Sequence, residues 1–278
     1  MDFLAYQHKR ARRRALEQKL RKQGTYGNVV QKGPFKGMAY PETGYVSCRF
    51  QKIIGSYEHE LHALIDLLVQ SRPYTHLVNI GSADGYFTVG LARSLPAMRA
   101  VAYEENEEPR TLLKHLASLN KVEDRIRIEK RCTPEDLLAL ESELIPSSTL
   151  VVCDVDGYEI ELLAESGINW LRQADLLVET HDCLRSGVNS RMIAAFSGSH
   201  HQIQITNAGL AYGEYPLLRN LNFLEIEALV SEDRQGIQDW LFMTPDRACH
   251  EEVRHLGKTV GHSVVPTRET VMSTAVLS

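Results

Sequence analysis

From residue 75 onward, short apolar runs alternate with stretches whose apolar residues return every three or four positions. The runs read as strands at 75–81, 99–104, 125–130, 149–154 and 174–180, with two more at 201–206 and 239–244. The stretches between them read as helices at 84–95, 107–119, 134 to about 143, about 158–172 and about 187–197. Leu77, Val78 and Ile80 form the first strand, and Phe87, Leu91 and Leu95 mark the apolar face of the helix after it. Thr133 stands where it can cap the helix from Pro134, and Ser82 or Asp84 can cap the one from 84. Repeated strand–helix units with near-continuous apolar strands predict an α/β fold: a doubly wound, mostly parallel, seven-stranded sheet covered on both faces.

The flanks are less periodic. Residues 1–24 read as a basic helix ending at Gly24. Residues 25–50 carry Gly27, Gly33, Pro34, Gly37, Pro41 and Gly44 and read as an irregular lead-in. A helix at about 56–71 stops before Pro73. Residues 207–237 read as a loop-rich insertion. From about 246 the chain turns polar, and 246–278 reads as a disordered tail. The expected organisation is therefore an extension over 1–50, a main domain over 51–245 and that tail.

At 278 residues the chain can bury one large core. No apolar run approaches the ~20 residues of a membrane span. The arginine-rich start lacks the apolar core of a secretory signal. Five cysteines, Cys48, Cys132, Cys153, Cys183 and Cys249, form no CxxC pair, so neither a disulfide framework nor a zinc knuckle is indicated. The expected compartment is the reducing cytoplasm. Residues 9–22 are strongly basic, although the whole chain carries a net −5. Such an arm can bind a polyanion, or lie on the protein's own acidic body or on a second copy in a homo-oligomer. Aromatic residues are not interleaved with its charges, so nucleic acid is not the expected partner.

The chemistry concentrates at the ends of the strands. The segment Asn79-Ile-Gly-Ser-Ala-Asp-Gly85 is a glycine turn between a strand and a helix, where a nucleoside-type cofactor can approach backbone N–H groups. A dinucleotide wants Gly-x-Gly-x-x-Gly, and Ser82 stands where the second glycine should be, which counts against NAD and FAD. S-adenosylmethionine carries no phosphate. It needs such a turn and an acid after the second strand to accept both ribose hydroxyls. Glu104, followed by Glu105, occupies that position, although a strand-end acid can also be merely exposed.

Together these residues resemble the class I S-adenosylmethionine-dependent methyltransferases, which implies a Rossmann-like methyltransferase fold. Cys153-Asp-Val-Asp-Gly-Tyr-Glu-Ile-Glu-Leu-Leu163 is similar to the Asp-x-Glu-Gly-x-Glu-x-x-x-Leu segment of the FkbM-type enzymes. Val178-Glu-Thr-His-Asp182 and Lys52-Ile-Ile-Gly-Ser-Tyr-Glu58 also resemble that group, over roughly residues 50–182. Asp156 departs from it, since the motif more often has Glu there. The resemblance implies that Arg131, Cys132 and Thr133 flank the adenine and that Asp154 lies near the methionine amine or the substrate. The candidate cofactor-binding residues are thus Asn79, Gly81, Ser82, Asp84, Gly85, Glu104, Glu105, Cys132, Thr133 and Asp154. The implied activity is O-methylation of a sugar, glycan or polyketide-like metabolite.

Asp154, Asp156, Glu159, Glu179, His181 and Asp182 all fall at the ends of strands four and five. So many acids must protonate, face the cationic cofactor or bind metal. Asp154, Asp156 and Glu179 are candidate ligands of a divalent cation. Asp156 and Asp182 could instead cap the helices that follow. His181 is the candidate general base, with Asp154 and Glu179 beside it in the catalytic set, though it could equally be a structural histidine. Tyr57, Glu58 and His59 could close over the cofactor or simply begin a helix. His200 and His201 read as structural. Two other functions fit the sequence: a nicotinamide-dependent oxidoreductase, and a non-catalytic binding module whose basic arm docks a polyanion.

Overall fold

A computed structural model of the chain describes residues 3–24, 27–42, 48–206, 209–232, 236, 238–260 and 264–266. The N-terminal part contributes helices α1 (Phe3–Lys22), α2 (Arg49–Ile54) and α3 (His62–Ser71). The alternating region follows: β1 (His76–Ile80), α4 (Tyr86–Ser94), β2 (Arg99–Tyr103), α5 (Glu107–Leu119), β3 (Ile126–Glu129), α6 (Pro134–Ala139), β4 (Thr149–Cys153), β5 (Asp175–Thr180), α7 (Val188–Phe196) and β6 (His201–Thr206). The chain ends with α8 (Phe223–Val230), β7 (Asp239–Thr244), α9 (Arg247–Val260) and the short β8 (Val264–Pro266).

The expected doubly wound α/β sheet is present. Among the described residues the strand order is β3-β2-β1-β4-β5-β7-β6-β8. The first five strands are parallel, β7 runs antiparallel between β5 and β6, and β8 adds a short antiparallel edge to the seven expected strands. Side chains alternate across the sheet because strand residues point to opposite faces. Leu77, Ala100, Leu150, Leu177 and Phe242 pack into one core, and Val78, Val101, Val151, Leu176 and Leu241 into the other. The strand order reverses between β1 and β4, which opens a crevice at the C-terminal ends of those strands.

Several expectations are corrected. The helix expected at 158–172 is two short turns, a π turn at Ile160–Ala164 and a 3₁₀ turn at Asn169–Gln173. Gly167, at φ +69°, breaks the chain between them. The helix expected from 56 begins at His62, after Glu58 takes a left-handed φ of +47°. The lead-in is not a separate layer: Val30, Phe35, Met38 and Tyr40 are buried in the main core, and α2 interrupts the irregularity expected through 50. The loop-rich 207–237 region contains α8. The tail is corrected over 247–260 and 264–266, where α9 and β8 form. Asp246 Oδ1 accepts the N–H groups of Ala248 and Cys249 at the start of α9, whose Cys249 and Val253 face the core. Residues 267–278 and Gly44 lie outside the described residues.

The basic arm lies on the protein's own body. Arg13 Nε donates to the Ala228 carbonyl at 2.8 Å, Lys19 pairs with Glu225, and Leu20 is buried. No described helix is long and apolar enough to cross a membrane.

Candidate active site

The turn after β1 leaves its strand at Gly81, where φ is +76°. A Cβ at Gly81 would lie 1.7 Å from the Asp154 carbonyl oxygen, and one at Gly85 would meet Leu113 Cγ at 2.6 Å. Both glycines are therefore required by close contacts within the protein. The N–H groups of Gly81 and Ser82 both donate to the Tyr103 carbonyl, which binds the turn to the end of β2. The cap at the start of α4 is Gly85 in a left-handed conformation, rather than Ser82 or Asp84.

Asp84 has a different engagement. Its carboxylate accepts from Lys52 Nζ at 2.8 Å and from Tyr40 Oη at 2.7 Å, all three residues being buried. The Lys52 ammonium also lies 4.8 Å from the Tyr57 ring centroid. Asn79 is likewise used within the core, donating to Thr88 Oγ1. Thr133 caps α6 in a reciprocal box with Asp136. Ser82 Oγ and Tyr86 Oη are buried without a hydrogen-bond partner among the described residues.

A cavity of about 280 Å³ opens at the ends of β1, β2 and β4. Gly81, Glu104, Glu105, Asn106, Cys132, Asp154 and Asp156 line it, with Ile80, Val155 and Leu162 as apolar wall and Arg131 and Tyr158 at one side. The Arg131 guanidinium lies 5.3 Å from the Tyr158 ring centroid. Glu104 is held in place: Oε2 accepts from the Ala83 N–H at 3.0 Å, and Oε1 accepts from the Asn106 N–H at 2.8 Å and from Asn106 Nδ2 at 3.1 Å. A carboxylate has about four acceptor sites, so capacity remains on Oε2. Burial pushes the Cys132 thiol up to about 12, so this wall stays a neutral thiol.

Of the ten candidate cofactor residues, Gly81, Glu104, Glu105, Cys132 and Asp154 meet at this cavity. Asn79, Ser82, Asp84, Gly85 and Thr133 do not line it. Lys52 and Asn106 were missed. Asn106 follows the Glu104 position by two residues and carries no motif. Lys52 is 32 residues from its partner Asp84, so nothing local marks the pair.

The acidic edge adjoins the cavity through Asp154 and Asp156. His181 is buried, and its Nδ1–H donates to Glu159 Oε1 at 2.6 Å. Its Nε2 faces Asp154 Oδ1 and Asp156 Oδ1, each at 3.5 Å, and Glu179 Oε2 at 3.6 Å. Burial lowers the imidazole pKa, but the Glu159 hydrogen bond and the charges of Asp154, Glu159 and Asp156 outweigh it, and the net shift is upward. Asp154 is also raised: burial and the like charges of Asp156 and Glu159 exceed the lowering by His181 and by a hydrogen bond with Glu179. Asp156 keeps its reach despite its short arm because its backbone is left-handed at φ +51°, with Gly157 at +100° next to it. That conformation costs a non-glycine residue roughly 1–2 kcal/mol. Arg185 holds the loop by donating to the Gly157 carbonyl and to Glu161. Asp182 caps the approach to α7, accepting from the N–H groups of Gly187 and Asn189. Glu58 turns inward to accept from Trp240 Nε1 at 2.7 Å, while His200 Nε2 donates to the Ala174 carbonyl in the core.

No protein-family model matches the chain, and no curated protein matches it. Solved structures do. The O-methyltransferase TomG from Streptomyces achromogenes, in complex with S-adenosylmethionine and involved in tomaymycin synthesis, shares 17% identity over 64% of this chain and 76% of its own, with a TM-score of 0.45. Precorrin 8w decarboxylase from Methanobacterium thermoautotrophicum shares 16% over 68% of this chain and 90% of its own, at 0.45. Geranyl diphosphate C-methyltransferase from Streptomyces coelicolor, in complex with Mg²⁺, geranyl-S-thiolodiphosphate and S-adenosylhomocysteine, shares 12% over 78% and 86%, at 0.42.

Proposed function

We propose that this protein is a class I methyltransferase of the FkbM type that uses S-adenosylmethionine to methylate a hydroxyl on a sugar, glycan or secondary metabolite. The observation that carries this reading is Glu104. Its carboxylate is fixed by three donors at the wall of a cavity formed by the ends of β1, β2 and β4. A rigid acid with spare acceptor capacity, between apolar walls, suits the ribose of an adenosine.

A dinucleotide fits less well. The start of α4 is preceded by the Asp84 carboxylate, already matched by Lys52 and Tyr40. A pyrophosphate there would meet a fixed negative charge with its neutralising cation in use. The binding-module reading also loses support, because Arg13, Lys19 and Leu20 of the basic arm are engaged with α8 and the core.

S-adenosylmethionine supplies an activated methyl group and leaves as the neutral thioether S-adenosylhomocysteine. The chain's part is to hold the adenosine through Glu104 and to keep the acceptor oxygen in line, and alignment can supply most of the acceleration. The hydroxyl proton passes into the cluster of Asp154, Glu179 and His181. The lead-in (25–60) and the 183–237 region are the proposed acceptor walls.

Calorimetry with S-adenosylhomocysteine and, separately, with NAD tests the reading. Binding of the first and not of the second is expected. Binding of NAD alone would overturn it.

A further inference from the structure

We infer that Asp154, Asp156 and His181 form a site for a divalent transition-metal cation, with Glu159 as the carboxylate that orients the imidazole. The inference deepens the methyltransferase reading, and rests on it only for the purpose the cation serves.

The argument starts with His181, which is 1% exposed. Its Nδ1–H is committed to Glu159, so Nε2 is the nitrogen turned toward the mouth of the site. Nε2 is surrounded by carboxyl oxygens: one each from Asp154 and Asp156 at 3.5 Å, and Glu179 at 3.6 Å. These separations are long for a hydrogen bond to a charged group, which closes to about 2.7–2.9 Å. They match ligands that share an ion, because tetrahedral ligands with bonds of about 2.1 Å lie about 3.4 Å apart. The ligand atoms of Asp154, Asp156 and His181 all fall within 4.8 Å of one another.

The charge points the same way. Among the described residues, no lysine or arginine makes an ion pair with Asp154, Asp156 or Glu159, although the three acids crowd one imidazole. Asp156 is 85% exposed, yet it is held in a left-handed turn that brings its carboxylate to Nε2 rather than out to solvent. A carboxylate behind a ligating histidine is the usual outer support of a metal site, since it sets the tautomer and the ring orientation.

The donor set chooses the ion. One imidazole nitrogen with carboxylate oxygens favours Mn²⁺ or Zn²⁺ over Mg²⁺ and Ca²⁺, which prefer all-oxygen shells. The cation would bind the acceptor oxygen and lower its pKa beside the cofactor cavity. Nε2 is then a ligand, and Glu179 receives the hydroxyl proton. His181, expected as the base, thus becomes a ligand, and Glu179, expected in both the catalytic set and the ligand set, serves as the base.

The test titrates MnCl₂ and ZnCl₂ calorimetrically into the EDTA-stripped full chain, with bound Mn²⁺ also read by EPR. One ion per chain is expected. His181→Gln and Asp156→Asn should each weaken affinity at least ~10-fold, and Glu159→Gln by about 10-fold. Asp156 is exposed, so its variant folds and keeps the test meaningful if the buried ones do not. Absence of binding, or affinity unchanged in Asp156→Asn, overturns the site. S-adenosylhomocysteine is titrated in parallel. Its binding without any cation binding removes this inference and leaves the methyltransferase reading. Cation binding without cofactor binding supports the site and removes that reading.

Discussion

Glu104 is a residue whose worth depends on its surroundings. An exposed strand-end acid contributes little, but this one is 8% exposed and fixed by Ala83 and Asn106. Its replacement removes the proposed hydroxyl acceptors and frees the turn that they hold. Glu104→Ala should weaken S-adenosylhomocysteine binding by ~1–3 kcal/mol, read by calorimetry. Unchanged affinity would exclude the ribose role. Asp156 shows what a sequence hides at this scale. Its identity and position were plain, but its φ of +51° was not, and that angle decides whether the carboxylate caps a helix or meets His181.

At the scale of elements, the β1–α4 turn does two things. It shapes the cavity, and through Gly81 it presses directly on the backbone at the exit of β4. Any side chain at residue 81 must push Asp154 away and also adopt a left-handed φ. Gly81→Ala should therefore lower the unfolding free energy from urea denaturation by at least the ~1–2 kcal/mol of the left-handed backbone alone. A stability equal to the wild type would show that the two segments are not in contact. The strands were legible because their periodicity is local: β6 and β7 match the expected limits residue for residue. The segment after β4 was not. Its apolar residues keep helical spacing, but Gly167 and the π turn that precedes it interrupt the backbone. Helix α9 was hidden by composition, since Cys249 and Val253 are the apolar contacts of a mostly polar stretch. Of the residues that the motifs single out, Gly81, Glu104 and Asp154 come together at the cavity, with His181 beside Asp154. Contacts that depend on the lead-in folding back, such as Lys52 with Asp84, had no local signature.

For the whole molecule, one contribution to stability in acid comes from His200, whose burial disfavours the charged ring. Burial lowers the pKa of His200 below its ordinary 6.5, and the Ala174 carbonyl only partly offsets this. The stability that the neutral ring contributes is complete above about 6.5 and is lost as the pH falls through the lowered folded value. The stability difference between the wild type and His200→Asn, from urea denaturation, should therefore shrink between pH 7.5 and pH 5.5. A difference that grows over that range would refute the assignment.

The attachment of the first helix also bears on how the chain must be made. Arg13 finds its carbonyl partner 215 residues later, at Ala228, and Phe35 has its seat over Gly90. Translation at ~5–20 residues per second separates Arg13 from Ala228 by roughly 10–40 s. Through that interval α1 waits for a partner that the ribosome has yet to deliver, which makes the nascent N-terminal segment a natural client for chaperones.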